Sequence, residues 1–464
     1  MPNPESFFRP NKFLILFIDL CLIFMAYISA FYLRYHAFPE RNWDSFVSLL
    51  PWILLIALFF LSVYELYSVH RKSMWDMISK VLVSVTFTSL LTMAASFLFR
   101  EFALPRSVIL IAYVLTILFL VAWKTILIHF SARKGTGKVL LVGEEDDAKK
   151  VIAQIKHPIF KADSTKVKHV HPNTSIERIN HLIHQVDYVI LCPNIPKEKN
   201  SEIIYQAIKY DKIVYVIPSL YELLMSRSII TSIDDTMVMS VRPFGLTLDQ
   251  QVIKRAFDMA VSFILCIVLL PLFLLIGLCI KLEDPKGSII YKQKRVGKDN
   301  KVFTIYKFRS MVEGAENKTG PVLASEDDDR ITKVGKWMRV MRIDELPQLF
   351  NVLKGDMSLV GPRPERPFFI KQLSKQYQNY HYRSTVKPGI TGYAQIMGKY
   401  STDVEDKLRY DLYYIRSYSF WLDLVIILRT FIVLLDKTRA EGTQDESDKR
   451  KKKSLKSKDI FLDA

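Results

Sequence analysis

Residues 13–33 read FLILFIDLCLIFMAYISAFYL, an apolar run in which Asp19 is the one charged residue. A helix needs about 20 apolar residues to cross the hydrocarbon core of a bilayer. Further apolar runs follow at about 46–68, 81–99 and 107–128. Buried core helices are the alternative, but the length and clustering of the runs favour a four-helix transmembrane bundle in residues 1–133.

The charges between these runs predict an orientation. Basic residues follow the second run (His70, Arg71, Lys72 and Lys80) and the fourth run (Arg133, Lys134 and Lys138). The other two connections, at 34–44 and 100–106, also hold basic residues, so the bias is moderate. Because lysine and arginine concentrate in cytoplasmic loops, we expect both termini in the cytoplasm.

The bulk composition narrows the class of partner. The chain has 464 residues, half of them hydrophobic, and a net charge of +17. Such a balance suits nucleic acid, anionic lipid or phosphate-bearing substrates. The apolar runs argue against nucleic acid, and we expect no nucleic-acid partner. The four cysteines form no C-x-x-C pair, so a disulfide framework or zinc site is not expected.

Residues 134–247 predict a cytoplasmic α/β domain that is Rossmann-like. Short apolar stretches at 138–142, 186–192 and 213–217 alternate with helical patterns, as in a parallel sheet. A dinucleotide-binding unit would carry a glycine-rich loop after its first strand. Here Gly143 is followed by four acids, which repel a pyrophosphate. A structural or regulatory role is therefore favoured over nucleotide binding.

A fifth apolar run, about 259–280, is also long enough to cross the bilayer. A crossing would place everything after it outside the cell. Two features argue for a return to the same face: cations flank both ends, and Pro271 in the middle removes a backbone hydrogen bond and kinks a helix. We therefore predict a re-entrant membrane helix over about 256–281, broken at Pro271.

The pentad Asp344-Glu345-Leu346-Pro347-Gln348 places two carboxylates before a helical pattern. Since proline is tolerated in the first turn of a helix, the acids are expected near a helix N-terminus. Acids are common there as caps and dipole partners, which is the purely structural alternative.

Neighbouring cations favour phosphate chemistry instead. Lysines and arginines occur in short motifs on both sides of the pair: Lys307, Arg309, Arg339, Arg342 and Arg363. Phosphoryl transfer needs fixed cations and usually a divalent metal. An aspartate can attack phosphorus, and a neighbouring glutamate can hold Mg²⁺. The pattern predicts phosphate chemistry at a membrane surface.

The chain from Lys254 to about residue 435 resembles the bacterial sugar transferase family, the monotopic polyprenyl-phosphate glycosyl-1-phosphate transferases. Beside the pentad, the motifs that carry the resemblance are KRAFD at 254–258, YKQKRVG at 291–297, YKFRSM at 306–311, DRIT at 329–332, GDMSLVGPRPE at 355–365, KPGITG at 387–392 and DLYYI at 411–415. The four apolar runs and the Rossmann-like region resemble the long form of this family.

The resemblance implies transfer of a sugar 1-phosphate from a UDP-sugar to undecaprenyl phosphate with release of UMP. This reaction would be the first membrane step of surface or exopolysaccharide assembly. Asp344 would be the nucleophile that forms a covalent aspartyl-phosphosugar, and Glu345 would bind the cofactor Mg²⁺. The implied phosphate- and substrate-binding residues are Lys307, Arg309, Arg339, Arg363, Lys254 and Arg255. The resemblance also implies a homodimer in the bacterial inner membrane with its active site on the cytoplasmic face.

The expected fold is a multi-domain membrane protein. A transmembrane bundle (1–133) and the Rossmann-like domain (134–247) precede a mainly α catalytic domain with the re-entrant helix (248–436) and a basic disordered tail (437–464). The tail is also suited to anionic lipid head groups.

Two departures from the family and two rival functions bear on this interpretation. Arg342-Ile343 stands where family members often have Ser-Leu or Thr-Leu, and the acidic turn after Gly143 replaces further glycines. One rival is a transferase whose Rossmann-like unit also modifies the nucleotide sugar. The other is a membrane scaffold with a degenerate catalytic domain, against which the intact Asp344-Glu345 pair argues. The sugar stays open among glucose, galactose and N-acetylated sugars.

Overall fold

The computed structural model of the chain describes residues 12–68, 74–98, 104–132, 137–155, 167–226, 228–241, 243–314, 328–377, 379–398 and 402–435. They form two compact units that divide between Ser219 and Leu220. The predicted tail, 437–464, and most of the loop charges used for the orientation lie outside these residues. The predicted domain boundary at 247/248 falls within the second unit and stays a prediction.

The first unit begins with four long helices, which confirms the four apolar N-terminal helices. Their bounds are α1 Lys12–Tyr35, α2 Glu40–Val63, α3 Met74–Leu98 and α4 Arg106–Ala132. All are long and apolar enough to cross a membrane. Large apolar side chains such as Phe13 and Phe97 lie exposed on their outer surfaces, as expected for helices that face lipid.

One ion pair lies inside this bundle. Lys124 Nζ on α4 donates to Asp19 Oδ2 on α1 at 2.6 Å, and both side chains are at most 1% exposed. Charged residues in membrane-spanning segments are costly unless they pair with one another. The Asp19 that interrupts the first apolar run is therefore neutralised by a residue more than a hundred positions away.

The rest of the first unit is an α/β region, as predicted. Strands β1 Val139–Val142, β2 Val167–Val170, β3 Tyr188–Leu191 and β4 Ile213–Val216 form a parallel sheet in the order β2-β1-β3-β4. The connecting helices are α5 Glu145–Ile155, α6 Ile176–Ile183 and α7 Lys197–Lys209. Three of the four acids after Gly143 occupy the first turn of α5, where the helix dipole stabilises negative charge.

The second unit opens with α8 Leu220–Met225, the hairpin of β5 Ile229–Ile233 and β6 Thr236–Ser240, and two apolar helices. The apolar helices are α9 Leu248–Val268 and α10 Leu270–Glu283, and they meet at Leu269 with a bend of 60°. Pro271 lies in the first turn of α10, where its missing N–H leaves no helical hydrogen bond unmade. The re-entrant path through a membrane stays a prediction.

The remaining elements make this unit largely helical, with short strands. They are the antiparallel hairpin of β7 Ile290–Val296 and β8 Val302–Phe308, then α11 Lys333–Val340, α12 Gln348–Lys354, β9 Ser358–Val360, α13 Pro367–Gln376, β10 Gly389–Thr391, α14 Tyr393–Met397, α15 Val404–Arg416 and α16 Phe420–Leu435. A core that includes Val352, Val360 and Ile426 joins α12, β9 and α16. This core fixes α12, and with it the acidic turn that precedes it.

Candidate functional site

The acidic pair lies in a sharp turn between α11 and α12. Arg342 adopts the left-handed backbone conformation (φ 55°), and Asp344 and Glu345 follow in a 3₁₀ turn. The amide of Glu345 donates to the carbonyl of Arg342 at 3.3 Å, which closes the turn. Pro347 comes directly before α12. Both carboxylates are thereby held just outside a helix N-terminus.

Two cations bind Glu345. Lys307 Nζ on β8 and the Arg363 guanidinium each donate to Glu345 Oε1 at 2.7 Å. Burial raises the pKa of Glu345, but the charges of Arg363 and Lys307 outweigh burial and hold that pKa well below its usual range. Glu345 is therefore ionised at neutral pH.

Asp344 differs from its neighbour. It is 8% exposed, and burial followed by the charge of Glu345 raises its pKa to about 6. Lys307, Arg339 and Arg363 act in the opposite direction. Among the described residues, its carboxylate accepts no side-chain hydrogen bond and forms no ion pair. Two adjacent acids with separated pKa values are typical of sites where they play different roles.

Arg339 approaches the same pair from α11. Its positive charge lowers the pKa of Asp344, so the guanidinium lies within electrostatic reach of that carboxylate. One of its guanidinium nitrogens, Nη1, is buried and has no hydrogen-bond partner in the described part of the chain. A buried donor without a partner is costly, and a phosphate oxygen would satisfy it.

Arg309 has a protein partner away from the acids. Its Nη1 donates to Asp284 Oδ2 at 2.6 Å in the loop after α10. A Cβ at Gly287 would stand 1.5 Å from that nitrogen, so the close approach requires glycine there. The structure therefore places Arg309 where it joins β8 to this loop, and its predicted phosphate role stays a prediction.

Lys254 and Arg255 also bind protein groups. Lys254 Nζ pairs with Asp423 Oδ2 at 2.5 Å, and both side chains are buried. Arg255 donates to the last carbonyls of α12, to Val352 O at 2.6 Å and Leu353 O at 2.8 Å. These contacts join α9 to α16 and α12, while the predicted substrate-binding role of both residues stays untested.

Sequence reasoning missed a buried arginine that positions Arg363. The Arg383 guanidinium donates to Arg363 O at 3.0 Å and to Asp411 Oδ2 at 2.8 Å. Its other terminal nitrogen donates to the Tyr380 hydroxyl at 2.6 Å. The signal in the sequence was weak: an arginine shortly before the KPGITG motif, with a partner that lies on α15.

Asn351 was missed as well. Its side chain accepts from the amide of Tyr306 at 3.0 Å and donates to Thr304 O at 2.7 Å. These bonds bind α12 to β8, and so bring Lys307 beside Glu345. An asparagine in an apolar helix was the available signal, because a buried amide must find partners.

The carboxylates also bear on the expected Mg²⁺. Among the described residues, no group of three or more acidic, cysteine or histidine side chains could hold a metal ion. Mg²⁺ is commonly bound by one or two carboxylates, waters and the phosphates of a substrate. Glu345 and Asp344 could supply the carboxylate ligands. Lys307 and Arg363 both contact the same oxygen of Glu345, Oε1. The residues present therefore fit a metal that arrives with a phosphate ligand.

Four membrane-length helices indicate a multi-pass membrane protein, and its second unit holds a carboxylate pair among cations. Residues 249–437 match the family model for bacterial sugar transferases. An uncharacterized sugar transferase of Bacillus subtilis is 41% identical over 181 residues, which cover 39% of this chain and 85% of that relative. The chain belongs to the bacterial sugar transferase family.

Other relatives have more specific names. A UDP-N-acetylgalactosamine-undecaprenyl-phosphate N-acetylgalactosaminephosphotransferase of Aeromonas hydrophila is 43% identical over 48% of this chain and 52% of its own length. A UDP-glucose:undecaprenyl-phosphate glucose-1-phosphate transferase of Escherichia coli (strain K12) is 36% identical over 47% of each chain. The match spans about half the length of these two relatives.

Proposed function

We propose that this protein is a polyprenyl-phosphate glycosyl-1-phosphate transferase. It transfers a sugar 1-phosphate from a UDP-sugar to undecaprenyl phosphate and releases UMP. The observation that carries the proposal is the contrast within the acidic pair. Glu345 is bound by Lys307 and Arg363, whereas Asp344 is buried beside it with a raised pKa and no ion pair among the described residues. The names of the relatives support the substrate class.

The chemistry assigned to Asp344 is nucleophilic. A carboxylate oxygen of Asp344 attacks the sugar-bearing phosphorus of the donor, and the bond from that phosphorus to the bridging oxygen breaks. UMP leaves with the electron pair, and the sugar phosphate stays on Asp344 as an acyl phosphate. A phosphate oxygen of the lipid then attacks the same phosphorus and restores the carboxylate.

The surrounding cations neutralise charge on the phosphoryl oxygens. Lys307 and Arg363 stay fixed by Glu345, and the unpaired nitrogen of Arg339 offers a further donor. Glu345 would hold Mg²⁺, which supplies additional positive charge to the phosphates when bound. A pKa of about 6 leaves Asp344 ionised, and so nucleophilic, at neutral pH.

The membrane arrangement is part of the proposal. The 60° bend between α9 and α10, with cations at both outer ends, supports a re-entrant pair that returns to the cytoplasmic face. The water-soluble donor and the lipid phosphate would then meet at the inner membrane, in the first membrane step of surface or exopolysaccharide assembly. A homodimer is expected from the resemblance to the long form.

Trapping of the intermediate tests the proposal. The full chain in lipid nanodiscs is mixed with UDP-sugars radiolabelled in the sugar, without lipid acceptor, and quenched. We expect label on the wild-type chain, none on Asp344→Asn, and label on the control Asp299→Asn, an exposed left-handed residue where asparagine fits. Label that persists in Asp344→Asn, or mass spectrometry that finds the adduct on another residue, would refute the assignment.

A further inference from the structure

Arg342 has an unusual place beside the acidic pair. It lies two residues after the end of α11 in the left-handed conformation, φ 55° and ψ 22°, which is strained for a residue that carries a Cβ. Its amide donates to Arg339 O at 3.2 Å, and its carbonyl accepts from Glu345. The chain therefore reverses at Arg342, directly between the end of the helix and the carboxylates.

The Arg342 side chain is half-buried but not paired. Burial, and then the positive charge of Arg363, lower the pKa of Arg342, while Glu345 and Asp344 act in the opposite direction. In the described ranges of the chain, its guanidinium forms no hydrogen bond and no ion pair. A guanidinium that is partly removed from water without an acceptor loses hydration that an anionic ligand would replace.

The ion pairs of the site point the same way. Glu345 binds Lys307 and Arg363. In the part of the chain that the structure describes, Arg339 on α11 and Arg342, two residues after that helix, form no ion pair. Two cations without an acidic partner suit an anion that carries more than one charge.

We propose that Arg342, together with Arg339, binds phosphoryl oxygens of a dianionic ligand placed at Asp344. This inference rests on the proposed function, which offers two sources of the same chemistry: the diphosphate of the donor and the phosphomonoester of the lipid acceptor.

Binding without turnover tests the proposal. The full chain in nanodiscs of neutral lipid is titrated calorimetrically with inorganic pyrophosphate and, separately, with hexyl phosphate, a soluble phosphomonoester. The variants are Arg342→Asn, which tolerates the left-handed conformation, and Arg342→Lys, which keeps the charge. Lys336→Gln, an exposed cation on α11, is the matched control.

We expect Arg342→Asn to lower the affinity for the affected probe about tenfold or more, as for loss of one charge-assisted hydrogen bond. Arg342→Lys should recover part of that loss, and Lys336→Gln should change binding less than about twofold. Loss confined to pyrophosphate assigns Arg342 to the donor, loss confined to hexyl phosphate assigns it to the acceptor, and loss of both assigns it to a shared position.

Two results would overturn the inference: wild-type affinity for both probes in Arg342→Asn, or no binding of either probe by the wild type. Neither probe carries a transferable sugar, so these outcomes do not depend on an adduct at Asp344. Failure of the proposed reaction and failure of this inference are therefore distinguishable.

Discussion

At the scale of single residues, the acidic pair shows how the surroundings of a carboxylate set its pKa. Asp344 and Glu345 are neighbours in the chain and are both largely removed from water. Lys307 and Arg363 both donate to Glu345, and the resulting negative charge then adds to burial in raising the pKa of Asp344. Glu345 is a fixed anion that holds two cations, whereas Asp344 forms no ion pair among the described residues.

This difference predicts opposite effects of neutralising each acid. The pKa of Asp344 is about 6 in the folded protein, against an ordinary value of 3.8, so its contribution to stability is lost as pH rises from about 4 through 6. Asp344→Asn should therefore be more stable than wild type by about 2–3 kcal/mol at pH 8, and equal to it near pH 4. Apparent melting temperatures across this range measure the effect.

Glu345→Gln is the comparison. The pKa of Glu345 is lowered, so its contribution is present above its ordinary value and is lost only in strong acid. Glu345→Gln leaves Lys307 and Arg363 without their anion and should destabilise by about 3 kcal/mol at pH 8. The same sign of change in both variants at pH 8 would contradict this account.

The buried pair of Arg383 and Asp411 gives a second prediction at this scale. Arg383→Leu leaves Asp411 as an uncompensated buried charge and should cost about 3–5 kcal/mol. The double variant Arg383→Leu/Asp411→Leu should regain much of the stability but not full pyrophosphate binding, because Arg363 loses the donor to its carbonyl. Chemical denaturation and calorimetry measure the two effects.

Arg409→Leu is the matched control for that pair. Arg409 lies on α15, the helix that carries Asp411, and pairs with partly exposed acids. Its loss should therefore cost less than about 1 kcal/mol. Equal destabilisation by Arg383→Leu and Arg409→Leu would show that burial of the pair is not what matters.

At the scale of elements, the path of the α9–α10 pair determines on which face of the membrane the rest of the second unit lies. The two helices are continuous except at Leu269 and bend by 60°. We predict that cysteines introduced at Leu248 and Lys286, in a chain without native cysteines, react with a membrane-impermeant thiol reagent only from the cytoplasmic side. A cysteine at Glu40, the first residue of α2, should react only from outside.

Labelling of position 286 from outside would show that α9 and α10 cross the membrane as one kinked span. The prediction of a re-entrant pair would then be wrong, and the cytosolic donor could not reach the site. Reaction at Glu40 serves as the control that the outer face is accessible to the reagent in the same preparation.

At the scale of the whole molecule, each unit depends on ionic contacts between distant parts of the chain. In the first unit, Asp19→Ala would leave Lys124 unpaired inside the helical bundle, at a cost of about 3 kcal/mol or more. The exchanged pair Asp19→Lys/Lys124→Asp should recover most of that loss. Thermal loss of the monodisperse peak in size-exclusion chromatography of detergent-solubilised protein measures it.

Asp76→Ala is the control in the same unit. It removes a partly exposed pair with Lys80 on α3, and should shift the transition little, by about 0.5 kcal/mol. If Asp19→Ala shifts the transition no more than this control, the buried pair contributes nothing to the stability of the bundle.

The sequence by itself determined what depends on local composition. Run length and hydropathy predicted the four membrane-length helices, and alternating apolar stretches predicted the parallel sheet. The motifs between 254 and 415 indicated the family that the comparison later showed. These features follow from the residues of one segment at a time, because helix length and strand burial are set by the segment's own side chains.

Only the tertiary structure decided which cations reach the acidic pair. The resemblance implied six phosphate- or substrate-binding cations. In the fold, Lys307 and Arg363 bind Glu345, whereas Arg309 pairs with Asp284 and Lys254 pairs with Asp423. Distances between side chains from remote elements, and the burial that makes those distances matter, arise only when the elements pack. Ion pairing and pKa depend on both, so residue spacing along the chain could not determine them.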